Sequence, residues 1–318
     1  MNNSNSPAMS VVVITPDTYE TIRRTIECLK AQTIADKLEL VIIVLSAGDF
    51  EVNREEFQDF HGFQIVRPRE LTLYGQIMAA GVKSASAPIV VFAEDHVFPV
   101  PRWAEVLIES HKNNWAAIGS VICNANPESS IGWADVLIVY SQWLYPNDGG
   151  EMDHLPGHNC SYKRNILLGY GPDLERLLEA ESVLHWDLVS KGYKLYLEPE
   201  AKLYHMNFGV LPAFLKIHLY TGRTFAAYRC QSWSRLKRIS FAFGSLLIPF
   251  VRFYRITRNY SGCLGLLKSK PQVYPIMALG LIVSAIGEMI GYVSGAGDTV
   301  RKIFVYHFHR DLHAKKES

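Results

Sequence analysis

The chain has no pair of cysteines at C-x-x-C spacing, and its five cysteines, Cys28, Cys123, Cys160, Cys230 and Cys263, lie far apart and are odd in number. That excludes a disulfide framework and a structural zinc site and leaves ordinary thiols in a reducing compartment. No G-x-G-x-x-G follows the first apolar segment, and neither a G-x-x-x-x-G-K-[ST] loop nor a G-x-S-x-G elbow occurs. A dinucleotide dehydrogenase and a P-loop enzyme are thereby disfavoured. Neither sign of charge dominates: 32 basic and 31 acidic residues leave a net charge of +1, so no nucleic-acid partner is expected. Internal repeats and low-complexity tracts are missing. Residues 1–8 carry no basic n-region, and the apolar 11–14 is too short for a signal-peptide core. The expectation is a disordered N-terminus at 1–8, followed by a domain that stays in the cytosol.

What is present is ample apolar material, 48% of 318 residues, enough for one large domain or two smaller ones. The most informative stretch is Ile89-Val90-Val91-Phe92-Ala93-Glu94-Asp95-His96. A β-branched run entered from Pro88 predicts a strand buried on both faces. It halts on three side chains able to ligate a metal, and function in open α/β sheets sits at such carboxyl ends. Alternatively, the triplet caps a helix beginning near Arg102. Strands at 11–14, 38–45, 63–66 and 89–92 alternate with helices at 19–32 and 73–84. This pattern predicts βαβ units and a mostly parallel central sheet flanked by helices. A strand at 116–122, a helical stretch from Lys163, a helix at 174–190 ended by Gly192 and a strand at 193–197 follow.

Beyond residue 210 the texture turns helical, aromatic and basic, with Arg223, Arg229, Arg235, Lys237 and Arg238 ahead of an apolar 241–251. That segment reads as too short to span a bilayer. Residues 276–293, apolar apart from Ser284, Glu288 and glycines, approach the ~20 residues a span needs. Arg252, Arg255, Arg258, Lys268 and Lys270 lie between the two segments, where a two-helix span would break the positive-inside tendency. The expectation is therefore a catalytic domain at 9–209 and, at 210–318, amphipathic or hydrophobic helices in the cytoplasmic membrane interface, with basic residues meeting anionic headgroups. The alternative is a helical appendage packed on the catalytic domain or on a second subunit of a homo-oligomer.

Several motifs in fixed order carry a resemblance to a known family. Arg24-Thr25-Ile26-Glu27-Cys28-Leu29-Lys30-Ala31-Gln32-Thr33 is similar to a first helix ending in an A-Q-T-like signature. Ala79-Ala80-Gly81, then Ala85, Ala87 and the strand at 89–92, resemble the approach to an acidic D-x-D motif, whose place Glu94-Asp95-His96 takes. Gly157-His158-Asn159-Cys160-Ser161-Tyr162-Lys163-Arg164 resembles a G-x-N-x-[SA]-x-[RK]-R acceptor-side loop. Glu181 through Leu184-His185-Trp186 to Lys191-Gly192-Tyr193 resembles an E-D-x-x-L-x-x-R-L-x-x-x-G-Y segment. Pro199-Glu200-Ala201-Lys202-Leu203-Tyr204-His205 resembles P-x-A-x-[VL]-[YW]-H. Together, over residues 10 to 207, they resemble family 2 of the inverting nucleotide-sugar glycosyltransferases, which has the A-type glycosyltransferase fold. The Gly287-Glu288 and Gly291-Tyr292 tail is similar to that of membrane-associated members.

The resemblance implies transfer of a sugar from a nucleotide-diphosphate donor to a saccharide or lipid-linked acceptor hydroxyl. A cation held by hard ligands would neutralise the leaving diphosphate, and a carboxylate would take the acceptor proton. By resemblance, Glu94, Asp95, His96 and His205 hold Mn2+ or Mg2+, Pro16, Asp17, Glu94 and Asp95 contact the donor, His158, Asn159 and Trp186 face the acceptor, and Glu181 is the base. This chain departs from the pattern in three places. Val44-Leu45 runs into Ser46-Ala47-Gly48, with Asp49 later, where the family places a nucleobase-reading Asp. The loop at Pro16-Asp17-Thr18-Tyr19 is short. His96 replaces the last acid, a softer donor that suits Mn2+, or else sits behind the ligands. Asn159 reads equally as a turn residue, Trp186 as core filling and Glu181 as a solvated helix carboxylate. The departures keep open a membrane-bound scaffold that lost donor binding. A sugar nucleotidyltransferase would need a basic Gly-rich loop where Pro16-Asp17-Thr18 stands.

Overall fold

A computed structural model describes residues 6–46, 48, 50–68, 73–260 and 262–314; Asp49 and the first five residues lie outside them. In chain order the elements are β1 (Met9–Thr15), α1 (Tyr19–Lys30), β2 (Leu38–Val44), β3 (Gly62–Val66), α2 (Tyr74–Ser84), β4 (Ile89–Ala93), β5 (Val97–Pro99), α3 (Trp103–Ser110) and β6 (Trp115–Asn124). Next come α4 (Ser130–Tyr140), β7 (Gly150–Met152), β8 (Cys160–Lys163), α5 (Arg164–Leu168), α6 (Leu174–Leu178), α7 (Glu181–Ser190) and β9 (Lys194–His205). The rest is helical: α8 (Leu211–Arg229), α9 (Arg235–Gly244), α10 (Ile248–Asn259), α11 (Cys263–Ser269), α12 (Val273–Ser294), α13 (Thr299–His307) and α14 (Arg310–His313).

The chain packs as two compact units. The first runs up to Cys123 and resumes over Asn147–Tyr204; the second joins Asn124–Pro146 to everything from His205 onward. The sequence places one boundary near residue 209. In the structure α4, almost wholly apolar in composition, is instead claimed by the helical unit.

In the first unit β1, β2 and β4 are buried along their whole length, or nearly so, as their unbroken Val/Ile runs predict. The sheet order is β3-β2-β1-β4-β8-β6-β9-β5, with β7 on β9. Pairing is parallel from β3 to β4 and antiparallel where β8 meets β4 and β6. The parallel part therefore ends at β4, and the four-residue β8 was hidden inside a stretch that sequence reads as a Gly-rich turn leading into a helix. Because the chain steps from β1 out to β3 and returns to β4 on the other side of β1, the order reverses between β1 and β4. That is where open α/β sheets leave a crevice.

Gln32 fixes the end of α1. Its side-chain amide donates to the carbonyls of Cys28 and Val100, and its oxygen accepts from the Ala104 amide. The helix predicted at 174–190 is broken: Ala180 leaves helical geometry at φ −147°, ψ 86°. As a result Glu181 opens the new helix α7. Gly192, at φ +84°, closes α7 in the left-handed region that glycine takes without strain.

The second unit is built on α8 and α12 lying backbone to backbone. A Cβ on Gly287 would stand 2.2 Å from the Leu219 carbonyl oxygen, and one on Gly291 at 2.2 Å from that of Arg223. From the other side, a Cβ on Gly222 would stand 2.3 Å from the Ser284 oxygen. Only glycine permits this approach. Asp135 of α4 is enclosed, accepting from the Phe208 amide at 2.9 Å and from His218 Nε2 at 3.0 Å. The apolar segment that sequence reads as too short lies within a helical run, Arg235–Asn259, of 25 residues. With Val273–Ser294 it makes two helices long and apolar enough to cross a membrane.

Candidate active site

The carboxyl ends of β1, β2 and β4 lie side by side, Thr15 opposite Val44 and Val13 opposite Ala93. Pro16 and Asp17 leave β1 and Glu94, Asp95 and His96 leave β4, so both predicted donor-binding pairs come off the adjacent strand ends where the sheet order reverses. The Asp17 carboxylate folds back on α1, accepting from the Thr18 amide at 2.5 Å and the Thr21 hydroxyl at 2.7 Å. Ser46, after β2, donates to the Asp17 carbonyl at 3.2 Å, so a polar residue does follow β2 even though it is not the expected Asp.

Glu94, Asp95 and His96 are all buried. His96 Nδ1 lies 2.6 Å from Asp95 Oδ1, and its Nε2 lies 3.7 Å from Glu94 Oε1. Their loop is pinned from behind by the buried Thr25 hydroxyl, 3.1–3.2 Å from the carbonyl oxygens of Glu94, Asp95 and Val97. Sequence reasoning passed over Thr25. The available signal was a hydroxyl among Ile22, Ile26 and Leu29, the buried apolar face of α1. The triplet does not cap a helix, because β5 intervenes before α3 begins at Trp103.

A single turn of 3-10 helix, Gly157–Asn159, joins this loop to the predicted base. Asn159, 1% exposed, donates from Nδ2 to Glu94 Oε2 at 3.1 Å. His158 Nδ1 lies 2.5 Å from Glu181 Oε1. A Cβ on Gly157 would stand 3.1 Å from Glu181 Oε2, so glycine leaves room for the carboxylate. Glu181 is 8% exposed and lies in the first turn of α7, where negative charge is favoured. It is not the solvated helix carboxylate of the alternative reading. Glu179 turns elsewhere: its Oε2 accepts from the Gly75 amide at 2.7 Å and caps α2. Burial pushes the Glu179 carboxyl up from its ordinary value, against the pull of that hydrogen bond.

Trp186 is 42% exposed beside His154 rather than filling core. Behind it lies a buried polar chain that sequence did not reveal, because its members look like scattered aromatics. The Leu155 amide donates to His185 Nδ1 at 3.4 Å, so that nitrogen carries no proton. His185 Nε2 then donates to the Tyr162 oxygen at 2.8 Å. Burial holds His185 well below 6.5 and pushes His154 down to about 4. His111, donating to Ser161 at 2.9 Å, is pushed by burial down to about 3. His205 ends β9 in the second unit, where its ring meets Tyr140 at 3.2 Å and Asn207 at 2.9 Å.

The family model described as Glycosyl transferase family 2 matches residues 10–171, just over half of the chain. The chain belongs to that family. Glucosyl-dolichyl phosphate glucuronosyltransferase of Haloferax volcanii is 27% identical over 176 residues, covering 51% of this chain and 55% of that protein. The chain thus spans about half the length of this curated relative. The mannosyltransferase PcManGT from Pyrobaculum calidifontis, solved with GDP-Man and Mn2+, aligns with TM-score 0.53 at 15% identity, over 90% of this chain and 88% of that one. GalNAc-T7, solved with UDP, GalNAc and Mn2+, aligns with TM-score 0.50 at 11% identity, over 85% of this chain and 57% of that one. At such identities the likeness concerns the fold, which is the A-type glycosyltransferase fold.

Proposed function

We propose that this family 2 protein transfers a sugar, with inversion, from a nucleotide-diphosphate donor bound in the β1/β4 crevice to the hydroxyl of a lipid-linked saccharide at the cytoplasmic face of a membrane. The observation that supports this most directly is the Gly157–Asn159 turn, which touches Glu94 through Asn159 and Glu181 through Gly157 and His158. One rigid turn thereby sets the distance between a leaving-group site and a base. Inversion needs that arrangement, because the acceptor hydroxyl must lose its proton on the face opposite the departing diphosphate.

Two buried carboxylates at adjacent positions, 94 and 95, cost several kcal/mol unless positive charge faces them. That donor set suits a divalent cation, Mn2+ or Mg2+, with Glu94 and Asp95 as oxygen ligands and His96 as the softer one. Bound there, such an ion would neutralise charge on the leaving diphosphate. Asn159 holds Glu94 in place, Thr25 fixes the loop, and His158 orients Glu181 for proton transfer. Pro16 and Asp17 would line the donor's nucleoside end, and Trp186 would offer an exposed face to the acceptor sugar. His205 enters the ligand set by resemblance.

The lipid-linked acceptor is suggested by the Haloferax relative, whose substrate carries dolichyl phosphate, and by the two long apolar helices. Calorimetric titration of the detergent-purified protein with UDP, GDP and dTDP, with and without Mn2+, tests the reading. Metal-dependent binding of one nucleotide is expected. Failure of all three to bind folded protein would favour the inactive scaffold.

A further inference from the structure

The second unit carries an apolar cleft between α10 and α12 that the proposed chemistry does not use. It measures about 490 Å3, and its walls include Leu246, Phe250, Phe253, Ile282, Ile286 and Met289. That size falls within the roughly 300–1,000 Å3 of ligand-binding pockets. A second hollow of about 500 Å3 shares Phe250 and Tyr254 with it and is lined further along by Arg255, Arg258 and Asn259. Along the exposed face of α10, then, polarity rises in one direction, from Phe250 through the Tyr254 ring to Arg255 and Arg258, while Arg252 turns inward to Ser284 and the Ile138 carbonyl. This is the order of chemistry along a phospholipid, from chain through interface to phosphate, and aromatic and basic residues take those depths at membrane surfaces.

Charge decides what would occupy the cleft. From residue 201 to 287 the sequence has no aspartate or glutamate and twelve lysines and arginines, and the one acid on α12, Glu288, is buried with Arg252 as its electrostatic partner. A second copy of the chain would set cation against cation, whereas an anionic lipid meets complementary charge. We infer that the α10/α12 cleft binds one hydrocarbon chain of an anionic phospholipid, whose phosphate is held by Arg255 and Arg258. This site is independent of donor binding and stands or falls separately from the transferase reading.

Native mass spectrometry of the whole protein released from mild detergent, titrated with phosphatidylglycerol or phosphatidylcholine, tests the inference. The expected result is one retained lipid, with phosphatidylglycerol preferred about tenfold. The double variant Arg255→Gln, Arg258→Gln, altered only at exposed side chains, should erase the preference. Ile282→Trp, which fills the cleft, should abolish retention, while Leu236→Gln on exposed α9 should leave it unchanged. Equal retention of both lipids by the wild type would overturn the inference. So would retention that neither variant alters, or a lipid-free dimer. If Ile282→Trp unfolds, judged by circular dichroism, the arginine pair still decides.

Discussion

Both units enclose charge, but they differ in how much large apolar surface they expose. The first buries carboxylates and histidines beside one another at the strand ends and leaves mostly ordinary polar residues at its surface. The second encloses Asp135 with His218, Glu288 and Arg310, and also exposes large apolar side chains: Leu236 is 76% exposed, Phe243 71% and Phe250 75%. Enclosed charge of this kind is costly in a protein that only needs to fold. Exposed apolar surface of that size is costly in one surrounded by water alone. On the proposed function, enclosed charge would face a charged small molecule and exposed apolar surface would face a membrane.

The contrast can be tested where it is greatest. Glu181→Gln keeps the shape of the side chain and removes the proposed base, so turnover should fall by roughly 10²–10⁴ while nucleotide affinity changes less than twofold. Undiminished transfer would remove Glu181 from the chemistry. In the second unit Gly287→Leu drives a side chain into the α8 backbone and should cost about 3 kcal/mol of stability, read as a lowered thermal midpoint. Gly157→Ala, with its Cβ 3.1 Å from the Glu181 carboxylate, should lower turnover by about tenfold to a hundredfold through misplacement of the base. It should leave the melting temperature within a few degrees, which separates positioning from folding.

The last test concerns pH. His111, His154 and His185 stay neutral when folded because burial lowers their pKa. Below about 6.5 the unfolded chain binds protons that the folded one does not, so acid favours unfolding. Stability should be undiminished above that pH and fall toward pH 4, with a slope of about 1.4 kcal/mol per pH unit for each such histidine. His111→Asn should flatten the thermal midpoint's dependence on pH.

Much of the first unit was legible in the sequence because buried parallel strands write themselves as unbroken apolar runs. Residues 38–45 and 89–92 were found within a residue or so for that reason. β8 was not, since four residues beginning with Cys160-Ser161 carry no period long enough to detect. The break at Ala180 was equally hidden, because helical spacing continues on both sides of it. Glu94 and Asp95 stood out as acids at a strand end, and Glu181 through its place in a family-like motif inside a single predicted helix. The connection among them did not, because it runs through Asn159, Gly157 and Thr25, residue types that a turn or a helix uses equally well. In the second unit composition announced a helical, aromatic and basic texture, but Gly222, Gly287 and Gly291 looked like interruptions of helices rather than their point of contact.

The excursion of α4 out of the first unit has a consequence for synthesis. This helix, apolar around its circumference and lodged against the C-terminal helices, leaves the ribosome some 70 residues before the first of its partners, α8, begins. At 5–20 residues per second that is a delay of about 4–14 s, during which the sheet can assemble while α4 has nothing to cover it. The helical unit can therefore close around α4 only once the last third of the chain has been made.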